Sequence, residues 1–382
     1  MTARPVVQVV LLVDTEGPAV DPKAGIYGTW EEIGAAVDRL SAPSFRRAVP
    51  DPDGREAAVT WFILDWTGFR TNPVQRDMGY HKVLDRFRGF LRDVPQDSTG
   101  WHYHHPPVDG VGNHWNPDWS TRPPWHEAFE YETILHRKIL ERAWFPNVFR
   151  AGATIESNET SNWLERWIPF DYSSRAPLKV DDVTDWSAAP VHWDYYHPSA
   201  EDYRKPGRLR RCLARSLDAG SRLYAITQEE VDRAFEHARS RGGAILSSFT
   251  HDYRDLATPF LGFLEKLRRA AARFPDVTWK YAGAAQAIQE RRGWTGVPPL
   301  ALEARPTGPH WILRSSQELL GPVPWTCVER GDGRISGTPV PERVGPREWT
   351  LPRPVLEGAR RLGVAANTEQ GATGVLVVDA TV

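Results

Sequence analysis

The chain has 382 residues, with 47 Lys and Arg against 49 Asp and Glu, for a net charge of −2. That balance excludes a basic nucleic-acid footprint and a polybasic membrane patch, and the short cluster RKPGRLRRC reads as solvated surface. The two cysteines, Cys212 and Cys327, are too few for a disulfide framework or a thiolate metal cage.

In chain order, the first element expected is a strand at 6–13, VVQVVLLV, running straight into Asp14 and Glu16 and a Gly-Pro break. The apolar stretch before those charges is shorter than a signal-peptide core and far from the roughly 20 residues of a spanning helix, so a cytoplasmic location is expected. Further strand-like runs follow at 57–64, 100–105, 147–152, 169–174, 243–251 and 277–282. Short continuous apolar strands suit a parallel sheet buried on both faces. Between them, helical faces are expected from Val83, Leu84, Phe87, Phe90 and Leu91, then Ile134, Leu135 and Ile139, then Val231, Phe235 and Ala238, then Leu261, Leu264 and Leu267. This alternation predicts an α/β fold, either a β/α barrel or a doubly wound sheet, over residues 1–292. Residues 293–382 change texture to short apolar stretches (PLALEA, HWILRS, TGVLVVDATV) broken by Pro and Gly, which predicts a small β-rich, sandwich-like C-terminal module.

The expected strands end in ionisable groups: Asp14 and Glu16 on the first, His102, His104 and His105 on the third, Arg150 on the fourth and His251 on the one at 243–251. Barrel chemistry collects at the carboxyl ends of strands. His102 and His104 are two apart and share a strand face, as do Asp14 and Glu16. Two imidazoles and a carboxylate make an open site for Zn²⁺ or a similar divalent ion, while a second carboxylate can take a proton from water and a histidine can protonate a leaving amine. His105 is an alternative second ligand if the strand breaks at Pro106. His81, His136 and His237 fall on helical patterns and read as surface or packing histidines. Arg150, inside a strand, needs a carboxylate partner once buried. Several of the 17 Trp lie in Pro-rich sequence such as NHWNPDWSTRPPW, where they can wall a ligand; Trp101, Trp115 and Trp186 are the expected substrate contacts.

The ordered set VDTEGP, GWHYHH, FRAG, FDYSS, LSSFTHDYRD and WKYAGAAQAI, spanning roughly residues 5–291, resembles the polysaccharide deacetylase family of NodB-homology carbohydrate esterases. The resemblance implies a distorted (β/α)7 barrel and metal-dependent hydrolysis of an N-acetyl group. It implies Asp14 as base, Glu16, His102 and His104 as metal ligands, Arg150 orienting the catalytic carboxylate and His251 as general acid. The family's first motif has adjacent aspartates where this chain has Asp-x-Glu, and its second spaces the histidines four apart where this chain has Pro106. The segment DDVTDW, Asp181 to Trp186, resembles the family's D-x-x-D-W element, whose Asp tunes the acid histidine. The expected partner is a carbohydrate or other small molecule, with self-association open. Hydrolysis of a cyclic amide on the same barrel, or a decayed barrel serving as a carbohydrate-binding scaffold, are the competing readings.

Overall fold

The computed structural model describes residues 4–18, 27–66, 79, 81–104, 130–180, 184–220 and 225–381. The chain opens with β1 (Val6–Thr15), α1 (Trp30–Ser41), α2 (Pro43–Ala48), β2 (Val59–Trp66), α3 (Lys82–Phe90), β3 (Ser98–His104) and α4 (Glu130–Arg142). It continues through β4 (Val148–Ala151), α5 (Asn158–Leu164), β5 (Phe170–Ser174), β6 (Tyr195–Tyr196), β7 (Cys212–Asp218), α6 (Gln228–Arg241), β8 (Gly243–His251), α7 (Ala257–Arg273), β9 (Thr278–Tyr281) and α8 (Ala284–Arg291).

Strands β1, β2, β3, β4, β5, β7 and β8 pair in parallel in that order, and β8 pairs back with β1 to close a seven-stranded barrel. The expected fold class is therefore present, with one change of membership. The run at 277–282 is β9, which pairs only with the first half of β1, while β2 takes the second half. The barrel strand absent from the sequence reading is β7, CLARSLD, whose Arg215 breaks the apolar run. Arg215 is buried because its guanidinium bonds Glu230 and the carbonyls of Ala176 and Val191.

The period of two along each strand sorts the core into two layers. Val10 and Leu12 of β1 face the lumen with Phe62, Val148, Phe170, Tyr172, Ile245 and Phe249. Val7, Val9, Leu11 and Val13 face outward, against helices that contribute Ile33, Val37, Leu84, Phe87, Leu135, Phe235, Phe263 and Leu267. The four expected helical faces pack on the core, Phe90 and Leu91 only half-buried, and Leu261 is a correction: it is exposed, because α7 turns Phe260, Phe263, Leu264 and Leu267 inward instead. The lumen core thus fills the barrel below Asp14 and raises the polar residues to its carboxyl end.

The remaining strands are β10 (Leu302–Thr307), β11 (His310–Ser315), β12 (Trp325–Arg330), β13 (Ile335–Gly337), β14 (Glu342–Gly345), β15 (Glu348–Pro352), β16 (Ala359–Asn367) and β17 (Thr373–Asp379). They form two four-stranded antiparallel sheets, ordered β10-β11-β15-β14 and β13-β12-β16-β17, around Trp311, Leu313, Val328, Trp349, Leu351 and Leu362. This β-rich region packs on α4. Trp325, Cys327 and Ala365 join the outer barrel core, and the Asn367 amide donates to the carbonyls of Pro146 and Trp167. Among the described residues no helix is long and apolar enough to cross a membrane.

At the amino end of the barrel, Asp97 accepts hydrogen bonds from Arg46, the Val59 amide and the Trp61 indole, all at 2.8–3.0 Å. Both side chains of the Arg46–Asp97 pair are excluded from solvent. Asp97→Ala leaves the guanidinium buried without its counter-charge and should cost about 3–5 kcal/mol in urea unfolding. A loss below about 1 kcal/mol, the size expected of an exposed pair, would contradict this role.

Candidate metal centre at the carboxyl end of the barrel

Asp14 and Glu16 continue the lumen-facing row of Val10 and Leu12. On β3, Trp101 and Tyr103 join the outer core, so His102 and His104 face inward. These two rows meet. Glu16 Oε1 lies 3.4 Å from His102 Nε2 and 3.3 Å from His104 Nε2, and the two Nε2 atoms are 3.0 Å apart. All three side chains are buried.

The tautomer of His102 follows from its neighbour. Nδ1 sits 2.9 Å from the carbonyl oxygen of Arg150, which can only accept, so Nδ1 carries a proton and Nε2 holds the lone pair whenever the ring is neutral; burial works to lower the His102 pKa, but the Asp14 and Glu16 carboxylates outweigh it and favour positive charge at this point. That lone pair faces a carboxylate oxygen and a second imidazole nitrogen. Three acceptor-capable atoms converge on a point where a cation is electrostatically needed. Bonds of about 2.0–2.2 Å in tetrahedral geometry set donors about 3.3–3.6 Å apart; the two Glu16–His separations match this edge, and the Nε2–Nε2 separation of 3.0 Å is about 0.3 Å shorter. The residues therefore fit a divalent cation, and among the described residues these three side chains are one of two groups whose ligand atoms lie close enough to hold one.

The second group shares Glu16 and adds Asp14 and His251. Asp14 is bound through both carboxylate oxygens to Arg150 Nε, at 2.9 and 2.8 Å. Burial works to raise the Asp14 pKa, but Arg150, His102 and His251 outweigh it and hold the carboxyl below its usual range. Glu16 is likewise held well below its usual range: burial opposes ionisation, and His251, His102 and His104 overcome it. His251 Nε2 stands 3.6 Å from Glu16 Oε1 and 3.9 Å from Asp14 Oδ2. Burial pushes the His251 pKa down against the pull of those carboxylates. Arg150 in turn donates to the Tyr172 carbonyl and the Ser216 hydroxyl, both at 2.7 Å, and its guanidinium lies 3.9 Å over the Phe249 ring.

The structure thus brings Asp14, Glu16, His102, His104, Arg150 and His251 together. His105 and Trp115 lie outside the described residues, as does Asp181. The expectation that Trp101 and Trp186 contact substrate needs correcting, because both are fully buried. Trp101 faces outward and donates to Asp65 at 2.7 Å, and Trp186 donates to the Thr154 carbonyl at 2.8 Å while packing edge-on to Tyr203. Asp185 bonds Ser187 and Arg204, not His251.

Two residues support the site in roles the sequence did not assign: Asp252, read only as an ionisable strand end beside His251, and Gly152 of FRAG. Asp252, also fully buried, accepts the amide protons of Glu16 and Gly17 and so fixes the turn that aims Glu16. Burial pushes its pKa up to about 8, although those two N–H groups favour the ionised form. Gly152 follows Arg150 by two, where a Cβ would lie 2.4 Å from His104 Cδ2 and 2.6 Å from the Tyr103 carbonyl oxygen. The next two residues, Ala153 and Thr154, take left-handed backbone angles (φ 50° and 57°), at roughly 1–2 kcal/mol each. The adjacent Gly in FRAG, at a strand end that carries ligands on its neighbour, is the signal that could have flagged this contact.

No family model matches this chain, and no curated protein matches it. Among solved structures it is similar to a presumed polysaccharide deacetylase from Mycobacterium smegmatis, at 15% identity, covering 80% of this chain and 95% of that one, with a TM-score of 0.35. It is also similar to a modular endo-β-1,4-mannanase of glycoside hydrolase family 26 from Cellulomonas fimi, at 12% identity, covering 97% of this chain and 93% of that one, with a TM-score of 0.29.

The packing of Gly152 on His104 gives a direct test. Gly152→Ala should weaken Zn²⁺ binding at least about tenfold, the size of effect seen when a ligand's supporting contact is lost. Competition with a chromophoric chelator measures it, and unchanged affinity would mean that His104 is not held in place by this contact.

Proposed function

We propose that this chain is a metal-dependent hydrolase that removes an N-acetyl or other N-acyl group from an amino-sugar-containing or other small substrate. The supporting observation is the convergence of Glu16 Oε1, His102 Nε2 and His104 Nε2 within 3.0–3.4 Å of one another, beside an Arg150-bound Asp14. A divalent cation held by Glu16, His102 and His104, with Zn²⁺ suited to two imidazoles and a carboxylate, would supply Lewis acidity toward the acyl oxygen and a lowered pKa for water.

The chain's own groups then divide the proton transfers. Asp14, kept ionised by Arg150, accepts the proton of the attacking water. Arg150 also prevents the carboxylate from rotating toward the donor triangle, since both oxygens are engaged by its Nε. His251, on the far side of the carboxylates, delivers a proton to the nitrogen as the C–N bond breaks, leaving a free amine and a carboxylic acid. Burial lowers the His251 pKa against the pull of Glu16 and Asp14, which makes its protonated ring the stronger acid toward the leaving nitrogen. On this reading residues 1–292 carry the chemistry and 293–382 form the β-rich module.

Asp14→Asn and His251→Gln should each lower kcat on N-acetylated amino sugars by about 10²–10⁴-fold while the bound metal is retained. Unchanged turnover in both variants would overturn the assignment. Hydrolysis confined to cyclic amides would keep the site and replace the reaction class.

A further inference from the structure

A cleft of about 290 Å³ lies between α4, the end of α5 and the β12–β13 edge of the C-terminal sheet. None of the residues of the metal centre lines it. Its size is at the lower end of the roughly 300–1,000 Å³ range of small-molecule sites.

Three indoles form one side. Trp325 of β12 meets Trp167 at 4.8 Å and Trp163 at 5.7 Å, each close to edge-on. His136 of α4 joins them, 5.5 Å from Trp325. Glu132 and Arg166 supply the charged groups of the lining, and the Arg166 guanidinium lies 5.4 Å over the Trp167 ring.

His136 is the telling residue. Its side chain has 6% of its surface left exposed, and among the described residues its ring nitrogens have no hydrogen-bond partner. Burial pushes its pKa down to about 4, so at neutral pH the ring is uncharged and offers one N–H and one lone pair. Neither ring nitrogen is among the solvent-excluded atoms, so both are open to the cleft, where a guest can reach them. The opposite wall is kept thin. A Cβ at Gly337 would approach the imidazole to 3.2 Å.

We propose that this cleft binds a neutral saccharide ring, at a site separate from the metal centre. Half-buried Trp163 and Trp167 give apolar faces against which the C–H face of a pyranose packs, with the buried Trp325 backing them. His136 can both donate to and accept from a hydroxyl. A carboxylate and a guanidinium each present paired polar atoms that reach two adjacent hydroxyls at once. Charge settles the class. Arg166 disfavours a cation, Glu132 disfavours an anion, and a purely apolar guest would leave His136, Glu132 and Arg166 desolvated without partners.

The test is titration of the full-length protein with neutral trisaccharides lacking N-acetyl groups (cellotriose, mannotriose and xylotriose) and with adenosine as a comparison, read by tryptophan fluorescence and calorimetry. At least one sugar should bind saturably with a dissociation constant on the order of 1 mM, and binding should weaken roughly tenfold or more in Glu132→Gln and in Arg166→Ala. Arg166 is exposed, so its replacement leaves the fold intact, which a melting curve checks. The same affinity should persist in Glu16→Gln, which separates this site from the metal centre. Absence of saturable binding by all three sugars, equal binding in both cleft variants, loss of binding in Glu16→Gln, or saturation by adenosine alone would each overturn the proposal.

Discussion

Arg150 is the joint on which the polar end of the barrel turns. Its Nε holds both oxygens of Asp14 on β1, its Nη1 reaches the Tyr172 carbonyl on β5 and the Ser216 hydroxyl on β7, and its own carbonyl on β4 sets the proton on His102 of β3. One residue therefore ties five of the seven barrel strands and fixes both a carboxylate and an imidazole tautomer. A buried ion pair of this kind adds little net stability over a hydrophobic replacement, but losing one partner leaves an uncompensated charge costing about 3–5 kcal/mol. Its consequence is orientation: with Asp14 and His102 both fixed by the same strand, their relative placement does not depend on loop conformation.

The layering of the lumen explains why these charges can sit so deep. Below Asp14 the barrel is packed with Val10, Leu12, Phe62, Phe170, Ile245 and Phe249, and above it the row of side chains becomes Asp, Glu and His. The Phe249 ring is shared between the two layers, apolar toward the core and covered by the Arg150 guanidinium above. Asp252 then braces the turn after β1 through backbone amides, so the Glu16 carboxylate is positioned by main chain as well as side chain.

Much of this was readable from alternation alone. β8 spans Gly243–His251, as its apolar pattern requires, and the two-residue spacings of Asp14–Glu16 and His102–His104 put each pair on one strand face. What the pattern could not carry was long-range pairing. β7 escaped notice because a mid-strand Arg215 looks like a surface residue until Glu230 of α6 is brought to it. Trp101 and Trp186 were misplaced because a tryptophan beside charged or Pro-rich sequence has the same local signature in a wall as in a core; only burial distinguishes them. Gly152 and Asp252 act through a steric gap and through backbone amides, neither of which leaves a side-chain motif. The β-rich region was legible as strands, but its docking through Trp325 and Asn367 onto α4 and α5 depends on contacts between residues far apart in the chain.

The central claim is that Glu16, His102 and His104 share one cation. Anomalous scattering at the zinc absorption edge, from crystals of the protein loaded with Zn²⁺, tests it most directly. The account predicts a single strong peak roughly 2.0–2.2 Å from Glu16 Oε1, His102 Nε2 and His104 Nε2. A map with no peak there, or with its peak on other residues, would contradict it.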